Sequence, residues 1–333
     1  MRLTEKKRQW LVRILCICVS AVALFLLTRR IPPKSLAEVF RSVRSGWLIA
    51  AILLYGALFL PASCRWLFAF RLTGNNTTYA SATRIALIGH FFYTLLLGAA
   101  GGDFAKSALF ARWTNCPLPQ VLAASSFDRL LGFGGLLLLG GTTFAIAAAN
   151  GGFAGLGSFS IHWRWWWLAV GIVLAILLAL ALTKGARSRI GARWVKAFVI
   201  SGKNLIRSPR TFWIGLGCSF AVQFALSGVL ALNLEAVSHT PVPWLRLLWT
   251  FPVISVISAL PITVAGIGVR DSAALALLGL CHIPAADAIA ASLLTATASL
   301  LWTAIGGLIF WRESARNAGS FRSAEISAAT GAE

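Results

Sequence analysis

Six charged residues of this sequence stand inside long apolar stretches: Asp103, Lys106, Asp128, Arg129, Arg270 and Asp271. A charge near the centre of a bilayer costs at least about 2.5–3.5 kcal/mol, so each of the six needs a physical reason to be there. Asp103 and Lys106 are three apart and share a face of any helix that contains both. Gly101 and Gly102 come just before them. A helix starting at that point offers free backbone N–H groups and the positive end of its dipole. Together these make a site for a phosphate or carboxylate, to which Lys106 adds a point charge. Gly266, Gly268, Arg270 and Asp271 repeat the arrangement later in the chain, with Arg suited to bidentate phosphate recognition. The structural alternative is that Asp103 caps its own helix and pairs with Lys106, and that Arg270 pairs with Asp271 to hold its tip. Asp128 and Arg129 are adjacent and therefore point to different helix faces. Structural pairing and ligand contact are equally open for them.

Other chemistry has little support. His90, His162, His239 and His282 are scattered with no metal-binding spacing. The six cysteines form no Cys-x-x-Cys pair, so neither a zinc site nor a disulfide framework is indicated. No nucleophile is paired with a base, and no carboxylate cluster suits metal-dependent phosphoryl transfer. The expectation is a non-enzymatic chain with no catalytic residues, metal or cofactor.

The elements that must position the six charges are membrane helices. Of the 333 residues, 58% are hydrophobic and 12% charged, with a mean hydropathy of +0.79; a soluble domain carries about 25% charged residues. The 30 basic and 10 acidic residues leave a net charge of +20. The basic residues sit between apolar runs, so they read as loops facing anionic lipid headgroups, not as a nucleic-acid surface. Membrane lipids are the expected partners. Apolar runs near 10–27, 47–64, 121–149, 165–183, 212–232 and 288–311 are long enough to span a bilayer. The first of them reads as a retained signal anchor.

Two regions are shorter. Residues 85–98 lead into a Gly-rich tip and a helical pattern ending at Trp113. Residues 247–260 lead into a second such tip and a pattern ending at Leu280. Arms of about 11–14 residues reach roughly 16–21 Å, short of the roughly 30 Å hydrocarbon core. They read as two re-entrant hairpins, with two full spans as the alternative. The charge distribution favours hairpins. Setting aside Arg13, Lys106, Arg129 and Arg270 leaves 26 of the 30 basic residues. With six spans, two hairpins and both termini inside, the cytoplasm receives 19 of these, Arg65, Arg71, Arg84 and Arg112 among them, and the outside seven. The expected fold is therefore an all-α polytopic transmembrane bundle of about six to eight spans, an inverted repeat with halves 10–149 and 165–311. The membrane domain is expected over 1–312, with a disordered cytoplasmic tail over 313–333. Trp163, Trp165, Trp166 and Trp167 read as an interfacial belt. The stretch from Ile190 to Arg207 reads as an interfacial amphipathic helix on the cytoplasmic face.

Three motifs carry a resemblance. The first is Leu97-Gly98-Ala99-Ala100-Gly101-Gly102-Asp103 with a basic residue three further on. The second is Ser126-Phe127-Asp128-Arg129-Leu130-Leu131-Gly132, and the third is Leu260-Pro261 followed by Gly266-Ile267-Gly268-Val269-Arg270-Asp271. In this order they resemble the lysylphosphatidylglycerol synthase transmembrane-region family of flippase-like proteins, over roughly residues 10–312. The family commonly has Arg where this chain has Lys106, and Glu where it has Asp271, which bears on headgroup preference. The resemblance implies a flippase-like domain of the inner (plasma) membrane that moves, or helps move, a phospholipid, aminoacylated lipid, glycolipid or isoprenoid-linked lipid. The soluble synthase domain of bifunctional members is not expected here. The alternatives are a membrane-embedded headgroup transferase with Asp103 or Asp128 as base, and a non-catalytic scaffold for a lipid-modifying enzyme.

Overall fold

The computed structural model describes residues 38–95, 99–149, 188–238, 241–242, 244–258 and 269–330. The elements are α1 Ser45–Ala57, α2 Phe59–Arg71, α3 Tyr79–Leu95, α4 Ala99–Thr114, α5 Leu118–Ala149, α6 Arg189–Arg207, α7 Pro209–Val237, α8 Trp244–Ser258, α9 Val269–Gly279 and α10 Ala285–Thr330. Among the described residues there is no strand, as the sequence predicts.

Four stretches are long and apolar enough to cross a membrane: Ser45–Arg71, Leu118–Ile146, Pro209–Val237 and Ala285–Arg316. They cover the runs expected at 47–64, 121–149, 212–232 and 288–311. The runs at 10–27 and 165–183, the signal anchor and the tryptophan belt lie outside the described residues. The first stretch runs past its expected end at residue 64. It consists of α1 and α2, which meet at Leu58 with helical angles of φ −61° and ψ −23°. Pro61 explains the break: it has no N–H to give to the carbonyl of Ala57, and its ring crowds that carbonyl.

The segment between α2 and α5 folds back on itself. α3 has 17 residues and α4 has 16, so both exceed the expected arms. At 1.5 Å per residue they reach about 24–26 Å. α2 and α5 run antiparallel: Trp66 Nε1 donates to Ser125 Oγ at 3.5 Å, and further along Asn75 Nδ2 donates to Gln120 Oε1 at 2.8 Å. Asn75 lies just before α3 and Gln120 just after α4, so the pair leaves and returns at the same end of the bundle. The later pair, α8 with 15 residues and α9 with 11, is shorter. Its tip, residues 259–268, lies outside the described residues.

α7 lies antiparallel beside α1 and α2. The Arg44 N–H donates to the Ala236 carbonyl at 2.9 Å, and at the other end Arg65 Nη1 donates to Ser219 Oγ at 3.4 Å. α5 approaches α7 closely at Gly135, where a Cβ would lie 2.4 Å from that of Ser219. One apolar core, with Trp66, Phe70, Ile85, Ile88 and Phe110, joins α2, α3 and α4; another, with Leu234, Leu247, Ile254 and Leu278, joins α7, α8 and α9. Each helical pair thus has its own core beside the span that precedes it.

Two further expectations meet the structure. The amphipathic stretch at 190–207 forms α6, capped by Ser188, whose Oγ accepts the Gly191 N–H at 3.0 Å. The tail expected to be disordered is instead helical as far as Thr330. Ala, Arg and Glu favour helix, and a helix already nucleated in its apolar part extends without a second nucleation step.

Candidate functional site

Among the described residues, two clusters built on the charged candidates interrupt the apolar packing, one for each helical pair. The first is built on α2, α4 and α5. Its starting point is the close approach of α3 to α4. A Cβ on Gly102 would come within 2.7 Å of the Tyr93 backbone nitrogen, and one on Gly89 within 2.7 Å of Lys106 Cδ. At Gly102 the neighbour is backbone, so only glycine fits; at Gly89 a larger residue would have to displace the Lys106 side chain. α4 begins at Ala99, so Gly101 and Gly102 lie in its first turn. Gly102 serves the contact with α3.

The Lys106 stem runs beside Gly89, and its ammonium lies 2.9 Å from Asp103 Oδ1. Arg129 reaches the same carboxylate from α5: Nε donates to Oδ2 at 2.5 Å and Nη2 to Oδ1 at 3.1 Å. This is the fork geometry in which Arg binds carboxylates best. Asp128 points elsewhere, as adjacent residues on a helix must. Its Oδ1 accepts from Arg65 Nε of α2 at 2.7 Å, and Arg65 Nη1 also reaches Ser219 of α7. Three cations, Arg65, Lys106 and Arg129, face two carboxylates, Asp103 and Asp128. The cluster keeps one positive charge in excess.

Burial within the cluster is uneven. Lys106 and Asp128 are buried, whereas the Arg129 side chain is 43% exposed. Its chain neighbour Leu130, and Phe104 next to Asp103, are exposed apolar side chains. The cluster therefore reaches the surface through the Arg129 side chain.

The second cluster is built on α9 and α10. Arg270 and Asp271 lie in the first turn of α9, where a carboxylate meets the positive end of the helix dipole. Both are tied to Ser292 of α10. Arg270 Nη2 donates to the Ser292 carbonyl at 3.1 Å, and Ser292 Oγ donates to Asp271 Oδ1 at 2.5 Å. Asp271 is buried and Arg270 half-buried. Gly266 and Gly268 lie outside the described residues.

Sequence reasoning missed Arg65, which it assigned to a cytoplasmic loop. It sits inside a continuous apolar span and holds Asp128. Removing it from the count expected inside leaves 18 basic residues instead of 19 against the seven expected outside, so the expected charge asymmetry survives. The usable signal was the apolar sequence on both sides of it, Phe59 to Ser63 and Trp66 to Phe70. Ser219 and Ser292 carried no signal. His90 was noted only for its lack of metal spacing. Its Nε2 lies 3.3 Å from the Ser299 carbonyl and 3.2 Å from Ser299 Oγ, among the rings of Tyr55, Phe59 and Tyr93. Among the described residues, no group of three His, Cys, Asp or Glu side chains could hold a metal ion.

No curated protein matches the chain. Residues 11–307 match the family profile described as the lysylphosphatidylglycerol synthase TM region. That match covers the three motifs and every charged residue of both clusters, and the chain accordingly belongs to the lysylphosphatidylglycerol synthase TM region family.

Proposed function

We propose that this chain moves, or helps to move, a lipid with an anionic or zwitterionic headgroup between the leaflets of the inner (plasma) membrane. The observation that carries this reading is the part-exposed side chain of Arg129 on a cluster with, among the described residues, one surplus positive charge. A phosphate has a cation to meet there at membrane depth, while Asp103 orients that cation or meets a headgroup amine. On this reading α3–α4 and α8–α9 are re-entrant hairpins, since their lengths fall short of the roughly 30 Å core. The antiparallel placement of α1–α2 and α7, the corresponding spans of the two halves, supports an inverted repeat with its groove between the two tips. Lys106 and Arg270 contribute further positive charge at those tips. The sequence has no nucleotide-binding motif, so movement is energy-independent or coupled to an ion gradient.

The scaffold reading is favoured by one observation: Asp103 and Asp128 are already satisfied by cations of the chain itself. The two readings separate in vesicles. Purified protein is reconstituted with a trace of fluorescent phospholipid, and a membrane-impermeant reductant bleaches the outer leaflet. Transport predicts that the wild type exposes the inner-leaflet probe faster than empty vesicles do. Arg129→Gln should slow this at least tenfold, and Arg129→Lys should slow it less, because Lys keeps the charge but loses the fork. Wild-type rates equal to those of empty vesicles, or an Arg129→Gln variant as fast as wild type, would overturn the proposal.

A further inference from the structure

The helix α6 carries three stripes, each at helical spacing. The inner stripe packs against the bundle. Trp194 Nε1 donates to Ser126 Oγ at 3.3 Å, Phe198 stacks on Phe127 with centroids 4.5 Å apart, and Ser201 is fully buried. Beside it, Asn204 Nδ2 donates to the Leu72 carbonyl at 2.9 Å. The helix is therefore fixed in rotation.

The second stripe is basic: Arg189, Arg193, Lys196, Lys203 and Arg207 are all exposed. The helix contains no acidic residue, and among the described residues none of the five enters an ion pair. The third stripe lies between the other two and is apolar, with exposed Ala192, Val199 and Ile206 and half-buried Val195. Ile206 is 83% exposed. An exposed apolar stripe in water would be unfavourable, and five like charges on one face repel one another. Both problems vanish for one occupant, a molecule with an anionic head and an apolar body. The two stripes lie side by side, so one molecule can meet both.

We infer that α6 is a docking surface for anionic phospholipids, whose headgroups meet the basic stripe while their acyl chains lie against Val199 and Ile206. The inference needs only that the chain sits in a membrane and is independent of transport. The inner stripe sets α6 on Ser126 and Phe127, directly before Asp128 and Arg129. Lipids held there are enriched beside the first charged cluster.

The test is electron paramagnetic resonance on the full-length protein in phosphatidylcholine vesicles. Trace spin-labelled phosphatidylserine is compared with spin-labelled phosphatidylcholine, and the motionally restricted fraction gives their relative association. The wild type should prefer phosphatidylserine severalfold. The triple variant Lys196→Gln, Lys203→Gln, Arg207→Gln should lose most of that preference, because basic side chains near the surface are what attract the anionic headgroup. These side chains are exposed, and an unchanged melting temperature will show that the variant folds. A salt series on the wild type supplies a second measurement, since a headgroup preference of this origin falls as ionic strength rises. Equal association of the two lipids, a preference unchanged in the triple variant, or a preference insensitive to salt would each overturn the inference. Equal association is also the result expected if an acidic protein segment occupies the stripe instead.

Discussion

The two charged clusters sit at comparable places, each beside the opening turn of the second helix of a pair, yet they neutralise charge in different ways. At the first, carboxylates meet cations across three helices: Asp103 with Lys106 and Arg129, and Asp128 with Arg65. At the second, Arg270 and Asp271 both lean on one neutral residue, Ser292, through its carbonyl and its hydroxyl. Inside a low-dielectric medium these arrangements respond differently to damage. Removing one member of an ion pair leaves a buried charge without its partner, which is strongly destabilising. Removing one hydroxyl takes away a single hydrogen bond, whose loss is smaller even when the acceptor is charged. The first cluster ties α2, α4 and α5 together and reaches α7 through Ser219, while the second joins α9 to α10 through Ser292.

The largest effect is expected for Asp103→Asn. It deprives Lys106 and Arg129 of the carboxylate they share, and leaving the buried Lys106 ammonium without its partner is expected to cost about 3–5 kcal/mol. Thermal unfolding in detergent should show it as a large drop in melting temperature. A melting temperature within a degree or two of wild type would mean that the first cluster is solvated like a surface, and the contrast between the tips would collapse.

Arg65→Met should lose a similar amount, about 3–5 kcal/mol, because Asp128 stays buried. The second change Asp128→Leu should recover most of it, since an apolar pair of similar volume can replace a buried ion pair. A double variant as unstable as the single one would show that Arg65 acts through Ser219 and not through charge.

At the second cluster, Ser292→Ala removes the hydroxyl that donates to Asp271 and leaves the backbone carbonyl that Arg270 uses. The expected loss is about 1.5–3 kcal/mol. If this variant unfolds as readily as Asp103→Asn, the two clusters are equivalent after all.

The smallest effect belongs to a pair outside both clusters. Arg84 Nη1 lies 3.3 Å from Glu313 Oε1, with the Arg84 side chain 53% exposed. Arg84→Gln should change stability by no more than about 1 kcal/mol, as for exposed ion pairs in general. A larger loss would show that exposure to solvent does not separate strong from weak pairs in this bundle.

The helical class, four helical stretches long and apolar enough to cross a membrane, and six charges within apolar sequence were legible in the order of residues alone, because each depends on local information. An apolar run of about 20 residues has one low-energy outcome in a bilayer, and a charge stands out where apolar sequence long enough to mark the run flanks it. It could not show which charge pairs with which. Asp128 and Arg129 are chain neighbours but serve different partners, 63 and 26 residues away. The partner of Asp128 was also hidden by its own charge. Arg65 lowers the hydropathy around it, so the span seemed to end at residue 64, whereas the helix continues to Arg71. Ser292 is one serine among many until α10 brings it against α9. Pairing across helices depends on how they rotate and approach, and close contacts such as Gly102 against Tyr93 decide that only once the bundle is packed.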